Sequence, residues 1–111
     1  METGATGTAI GTGQANTTAI VTIQGAGSYA AQLCNDLTVG SYSDWYLPSK
    51  DELNKLYLNR DAIGGFASAY GYYWSSSEDN AYFAWSQNFY DGSQGYGPKV
   101  NTLRVRAVRA F

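Results

Sequence analysis

Residues 44–60, DWYLPSKDELNKLYLNR, constrain this chain more than any other stretch. Ser49 is followed three residues later by Glu52, the signature of a capping box in which each side chain satisfies the other's backbone N–H at a helix start. Pro48 stands just before the cap, where its missing N–H costs no helical hydrogen bond. Leu53, Leu56 and Tyr57 make the apolar stripe, with Leu58 at its margin. Asp51 and Glu52 lie in the first turn, and Lys55 and Arg60 lie toward the end, which suits the helix dipole. The spacing predicts a helix after Ser49, packed on Trp45, Tyr46 and Leu47 and ended by the Ile-Gly-Gly of 63–65.

The segments before it carry weaker signals. Residues 1–15 are rich in Gly and Thr and poor in apolar anchors, and read as flexible or edge-like. Their GTAIGTG touches a phosphate-loop pattern but lacks the Lys-Ser/Thr that would follow. TTAIVTI at 17–23 is rich in β-branched residues and predicts a strand, broken by Gly25 and Gly27. From Ser28 the period changes: Ala30, Leu33, Cys34 and Leu37 share one face of an amphipathic helix closed by Gly40. Cys34 on that face reads as a buried, inert thiol, because no base accompanies it.

The second half reads as strands. YYW (72–74) is a short aromatic strand and SSSEDN (75–80) a turn. Residues 81–92 alternate, with Phe83, Trp85 and Phe89 expected in the core and Tyr82, Ala84, Ser86, Asn88 and Tyr90 expected to face outward. Gln87 falls on the apolar parity and breaks the pattern. DGSQGYGP reads as the loop that follows. Leu103, Val105 and Ala107 then alternate with Arg104 and Arg106 in a closing strand. Arg109 takes the inward parity and needs either a register-resetting bulge or a carboxylate partner, for which Asp44, Glu52 and Glu78 are candidates. Helices and strands are segregated along the chain, the layout of an α+β fold in one domain spanning 1–111.

Composition removes several functions. Charged residues are 14% of the chain and the net charge is −2, which is no nucleic-acid footprint. Histidine is absent, and with it the usual general base and the commonest transition-metal ligand. The single Cys34 makes no internal disulfide. No apolar run reaches membrane-spanning length, and residues 1–15 lack the basic region of a signal peptide. The pairs Asp51/Glu52 and Glu78/Asp79 are sequence neighbours, whereas glycosidase carboxylates face each other across a bond. Ser75, Ser76 and Ser77 have no His or nearby Lys to activate them. The expectation is a protein that is not an enzyme and uses no metal or cofactor.

A binding role fits better. The last third combines Tyr with Ser, Gly and Asn, as antibody-like contact surfaces do: Tyr gives contact area at small entropy cost, and the small polar residues adapt their hydrogen bonds. The expected contact residues are Tyr82, Tyr90 and Tyr96 as anchors, with Ser86, Asn88, Asp91, Ser93 and Asn101 fixing orientation.

The blocks GTGQANT, AAQLCNDL, DWYLPSKDEL, YYWSSSE and RVRAVRAF, in this order, span nearly the whole chain. In that combination the chain resembles the bacterial and phage domains related to the C-terminal domain of the Lcl collagen-like adhesin. The resemblance implies a C-type lectin-like fold, with two helices flanking a small antiparallel sheet and the N- and C-terminal strands paired. It implies a binding module for a protein or surface-glycan ligand, without membrane insertion, displayed on a cell or virion surface. Some members are variable proteins of diversity-generating retroelements, in which adenine-directed mutagenesis rewrites codons near the end of the gene. Tyr82, Ala84, Ser86, Asn88, Tyr90, Asp91, Ser93, Gly95, Tyr96, Gly97 and Asn101 are all reachable from such codons, whereas Trp85 and Gln87 are not. An adhesion module of the Lcl type would instead bind sulfated glycans through Arg104, Arg106 and Lys99. The Glu-Pro-Asn, Gln-Pro-Asp and Trp-Asn-Asp signatures of calcium-dependent sugar binding do not occur.

Overall fold

Helical spacing governs the segment expected to be a strand. Gly13, Asn16 and Thr17 are buried, and Ile20 and Val21 pack half-buried beyond them, which is a helical face rather than an alternation. In the computed structural model, which describes residues 3–25, 29–63, 71–80, 82–99 and 103–109, this segment is helix α1, Gly13–Gln24. The β-branched preference for strands is a weak prior, and tertiary bonds override it. Thr17 is fully buried, donates its hydroxyl to the Gly13 carbonyl at 2.8 Å and accepts from the Leu47 N–H at 2.9 Å.

Helix α2, Ala30–Asn35, is the second expected helix, rotated from its expected face. Ala31 and Cys34 are buried with Leu47, while Leu33 is 54% exposed. Ile20, Val21, Val105 and Ala107 close around that cluster. Burial pushes the Cys34 thiol up to about 12. Leu47 therefore packs under α1 and α2 rather than under the helix it precedes.

That helix, α3 (Lys50–Leu58), carries the expected capping box: Ser49 Oγ accepts from the Glu52 N–H at 3.4 Å, and Glu52 Oε1 accepts from the Ser49 N–H at 2.9 Å. The single helix expected up to the Ile-Gly-Gly of 63–65 is instead broken at Asn59, the C-cap of α3, and resumes as a short α4, Arg60–Ile63; Gly64 and Gly65 lie outside the described residues. Leu53 is buried with Tyr73 and Phe89, and Leu56 and Tyr57 pack against them.

Among the described residues the sheet has three antiparallel strands in the order β1-β2-β3: β1 Tyr72–Glu78, β2 Phe83–Asn88 and β3 Gln94–Pro98. Two expectations change here. The serines of SSSE are strand, not turn, and the turn is Asp79–Asn80, where Asn80 Oδ1 accepts from the N–H groups of Tyr82 and Phe83. QGYGP is strand, not loop.

The three serines are buried because other backbone crosses them. Ser75 Oγ donates to the Trp85 carbonyl at 2.8 Å, and Ser77 Oγ donates to the Gly7 carbonyl at 2.6 Å and accepts from the Lys50 N–H at 2.9 Å. The Ser76 N–H donates to the Pro48 carbonyl at 2.7 Å. Glu78 ends β1 as a latch, accepting from the Thr3 N–H and hydroxyl and the Gly4 N–H, each at 2.9 Å, and from Lys99 Nζ at 2.7 Å. Ala5 is buried, and Asn16 exchanges hydrogen bonds with both backbone groups of Gly7. Residues 3–7, read as flexible or edge-like, are thus bonded into the fold.

The closing segment is extended but joins the structure through isolated bridges, parallel from Arg104 to Tyr73 and antiparallel from Val108 to Tyr46. Among the described residues no bridge pairs it with the N-terminal segment. Arg109 finds its carboxylate in Asp44, in a two-point contact of 2.5 and 3.2 Å, and its guanidinium lies 3.6 Å over the Tyr42 ring. The architecture is α+β, with a three-stranded antiparallel sheet and helices segregated before it.

Candidate ligand-contact surface

Register places Tyr96 on the Trp85 side of the sheet, because β2 and β3 pair Trp85 with Tyr96 and Phe83 with Pro98. Tyr96 stands edge-on to both neighbouring rings, at 5.4 Å and 86° to Trp85 and at 5.9 Å and 66° to Phe83. It remains 59% exposed. Phe83 and Trp85, expected in the core, are half-buried. The cause lies in α3, which runs along this face with Lys50 at Trp85, Asn54 at Gln87 and Tyr57 at Phe89. Its first residue reaches only Trp85, and the end of the sheet that carries Phe83 lies beyond it. Lys50 Nζ sits 4.0 Å over the Trp85 ring, and Gln94 Nε2 donates to the Lys50 carbonyl at 3.2 Å.

The turn between β2 and β3 gathers a second group. Tyr90 is 59% exposed, and Asp91 and Ser93 are exposed beside it. Their backbone is well bonded: the Gly92 N–H donates to the Asn88 carbonyl at 2.7 Å and the Asn88 N–H donates to the Ser93 carbonyl at 2.9 Å. Asn88 Oδ1 accepts from the Tyr90 N–H, and Asp91 Oδ1 from the Ser93 N–H, each at 2.9 Å. Those Ser93 bonds hold the Asp91 carboxyl below its ordinary value. Gly92 has φ +83°, and a Cβ there would lie 2.4 Å from Tyr57 Cε2, so conformation and space both demand glycine.

The expected contact residues therefore divide. Tyr90, Asp91 and Ser93 come together in the turn, with Asn88 half-buried behind them and engaged in holding it. Tyr96 joins Phe83 and Trp85 on the sheet. Tyr82, 75% exposed, precedes β2 at the opposite end from Tyr90. The eight-residue separation corresponds to roughly 26 Å of extended chain. Ser86 does not face outward: it is 7% exposed, beside its cross-strand partner Trp74. Over the middle of β2 the parity expected to meet solvent is covered, since Ala84 and Trp74 line a cleft of about 490 Å³ together with Ile20, Leu33, Leu47 and Val105, while Tyr82 and Tyr90 at its two ends are exposed as expected. Asn101 lies outside the described residues.

Sequence reasoning missed Lys50, Gln94, Phe83 and Trp85 as surface-forming. A usable signal was present in β3, where Gln94, Tyr96 and Pro98 alternate with Gly95 and Gly97 at the strand period. The cationic set divides as well. Lys99 is paired with the buried Glu78, while Arg104 is exposed and Arg106 half-buried. Glu52 and Glu78, one from each neighbouring carboxylate pair, are both occupied by backbone N–H groups. No helix among the described residues is long and apolar enough to cross a membrane.

Fold and surface define a small α+β domain that holds exposed aromatic rings on a hydrogen-bonded antiparallel hairpin. The chain belongs to the Lcl C-terminal domain family, whose sequence profile matches residues 6–109. Comparison with curated proteins gives no match.

Proposed function

We propose that this chain is a non-catalytic ligand-binding domain whose contact surface is the β2–β3 hairpin. The observation that carries this reading is Tyr96, a large ring left 59% exposed yet fixed edge-on between Trp85 and Phe83. An exposed ring already immobilised loses little entropy when a ligand covers it. Tyr90, Asp91 and Ser93 extend the surface at the turn. The ligand is a protein or a surface glycan, and the scaffold is of the C-type lectin-like kind, displayed on a cell or virion surface. As a variable protein of a diversity-generating retroelement, the chain would vary at Tyr82, Ala84, Asn88, Tyr90, Asp91, Ser93, Gly95, Tyr96, Gly97 and Asn101, with Ser86 excluded by its burial.

The test compares the wild type with a Tyr90→Ala/Tyr96→Ala variant. Both are presented to immobilised neutral, uronic-acid-bearing and sulfated polysaccharides and to intact bacterial cells. Loss of binding by about tenfold or more, at a melting temperature within a few degrees of wild type, is the expected result. Binding that survives the double substitution overturns the reading. If that surviving binding collapses with added salt, the contact belongs to the Arg104 and Arg106 segment of a sulfated-glycan adhesin.

A further inference from the structure

Gln87 is fully buried on the core side of β2. Its Nε2 donates to Asn54 Oδ1 on α3 at 2.9 Å and to the Gly92 carbonyl in the turn at 3.0 Å. Its Oε1 is buried and, among the described residues, has no hydrogen-bond partner. Judged as packing, this is a poor residue. A buried carbonyl without a donor costs free energy, and an apolar side chain of similar length would fill the space without that cost. An apolar side chain cannot supply the two donated bonds, which join α3 to the turn through one amide. Both acceptors belong to half-exposed residues, so water reaches them if the amide is removed.

The same turn is braced from the same helix by the Tyr57 ring. It stands 5.5 Å and 79° from Phe89 and closes against Gly92. Residues 89–93 are thus held to α3 at a carbonyl, a ring and a glycine.

We propose that Gln87 is a positioning residue for the contact surface, fixing the 89–93 turn on α3 so that Tyr90, Asp91 and Ser93 meet a ligand already in place. The inference rests on the reading of the hairpin as the contact surface. A turn fixed beforehand lowers the ordering cost of binding, which gives a reason for a polar side chain in a core position.

The experiment uses Gln87→Met and Asn54→Ala in the whole chain, read by thermal unfolding and by amide hydrogen exchange without any ligand. For Gln87→Met the expected melting temperature equals or exceeds wild type, protection in β1 and β2 is kept, and the amides of Tyr90, Gly92 and Ser93 exchange about tenfold faster or more. Asn54→Ala removes one acceptor at a half-exposed position and should accelerate the same amides less; it decides the matter alone if Gln87→Met does not fold. Unchanged exchange in the turn overturns the proposal. So does a Gln87→Met protein that melts well below wild type with faster exchange throughout, the behaviour of an ordinary packing residue. Faster turn exchange with undiminished binding to the same polysaccharides and cells overturns the contact-surface reading instead.

Discussion

Glu52 Oε1 accepts from the Gly13 N–H at 3.0 Å, and the same oxygen closes the capping box of α3 by accepting from the Ser49 N–H at 2.9 Å. One carboxylate thus serves the N-termini of two helices, and its second oxygen takes the Gly11 N–H at 3.1 Å. Thr12, at the N-cap of α1, makes no side-chain cap bond of its own. A Cβ on Gly13 would lie 2.2 Å from Glu52 Oε1 and 2.9 Å from the Tyr46 ring. Gly→Ala inside a helix ordinarily stabilises, by about 0.5–1 kcal/mol. Here Gly13→Ala should destabilise by about 2–4 kcal/mol, because a cap bond is lost and a full site is overpacked. Urea unfolding measures the sign directly, and a stabilised variant would contradict the shared-carboxylate account.

Gly92 makes a second prediction of this kind. Its φ of +83° disfavours any side chain, and the space a methyl needs is held by Tyr57. Gly92→Ala should cost about 2–4 kcal/mol from backbone strain and displacement of that ring. In a Tyr57→Ala background the steric part disappears, so the penalty should fall toward the strain alone, about 1–2 kcal/mol. A double-mutant cycle by denaturant unfolding reads the difference. Additive penalties would show that the ring does not lock the turn.

Legibility in the sequence tracked the range of the interactions involved. The α3 start was readable because Ser49 and Glu52 satisfy each other within one turn. Helix α1 was not, because its most deeply buried positions are Gly13, Asn16 and Thr17, and apolar periodicity cannot register a face made of small and polar residues. Ser75 to Ser77 resembled a turn for the same reason: the Ser75 and Ser77 hydroxyls bond backbone groups distant in sequence, such as the Trp85 carbonyl, the Gly7 carbonyl and the Lys50 N–H, and the Ser76 hydroxyl accepts from the Asn16 amide. For Arg109 the sequence leaves open a register-resetting bulge or a carboxylate partner; the fold supplies the carboxylate and selects Asp44 over Glu52 and Glu78, which are taken up by α1 and by the N-terminal segment. On the proposed contact surface, Tyr90 and Tyr96 are exposed, as the composition of the last third leads one to expect. Strand parity failed for Ser86 because both faces of β2 are partly covered, one by α3 and the other by Trp74 and the elements around the cleft.

The Glu78 latch gives the fold a defined acid response. Burial alone would raise its carboxyl, but hydrogen bonds from Lys99, Thr3 and Gly4 outweigh burial and leave it lowered from 4.5. A carboxyl lowered in the folded state contributes stability above its unfolded value and loses it as pH falls through the folded value. Melting temperature should therefore drop between about pH 5 and pH 3, and Glu78→Gln should flatten part of that drop while lowering stability at neutral pH. Asp44 shifts in the same direction through its bond to Arg109, and Arg109→Ala should return its titration, followed by carboxyl NMR, toward 3.8. An acid profile that Glu78→Gln leaves unchanged would separate the latch from stability.

Phe89 and Tyr96 are aromatic residues seven positions apart, and the structure assigns them opposite consequences. Phe89 is fully buried, 4.6 Å from the Tyr73 ring and 5.5 Å from the Tyr57 ring, so Phe89→Ala opens a cavity in the cluster around Leu53. That should cost about 3–5 kcal/mol. Tyr96 makes only T-shaped contacts with Trp85 and Phe83 and leaves most of its surface to solvent, so Tyr96→Ala should cost no more than about 1 kcal/mol. In a domain this size the first change moves the melting temperature by roughly 12 °C or more and the second by only a few degrees. A large loss for Tyr96→Ala would make its ring part of the core and remove the central anchor of the proposed contact surface.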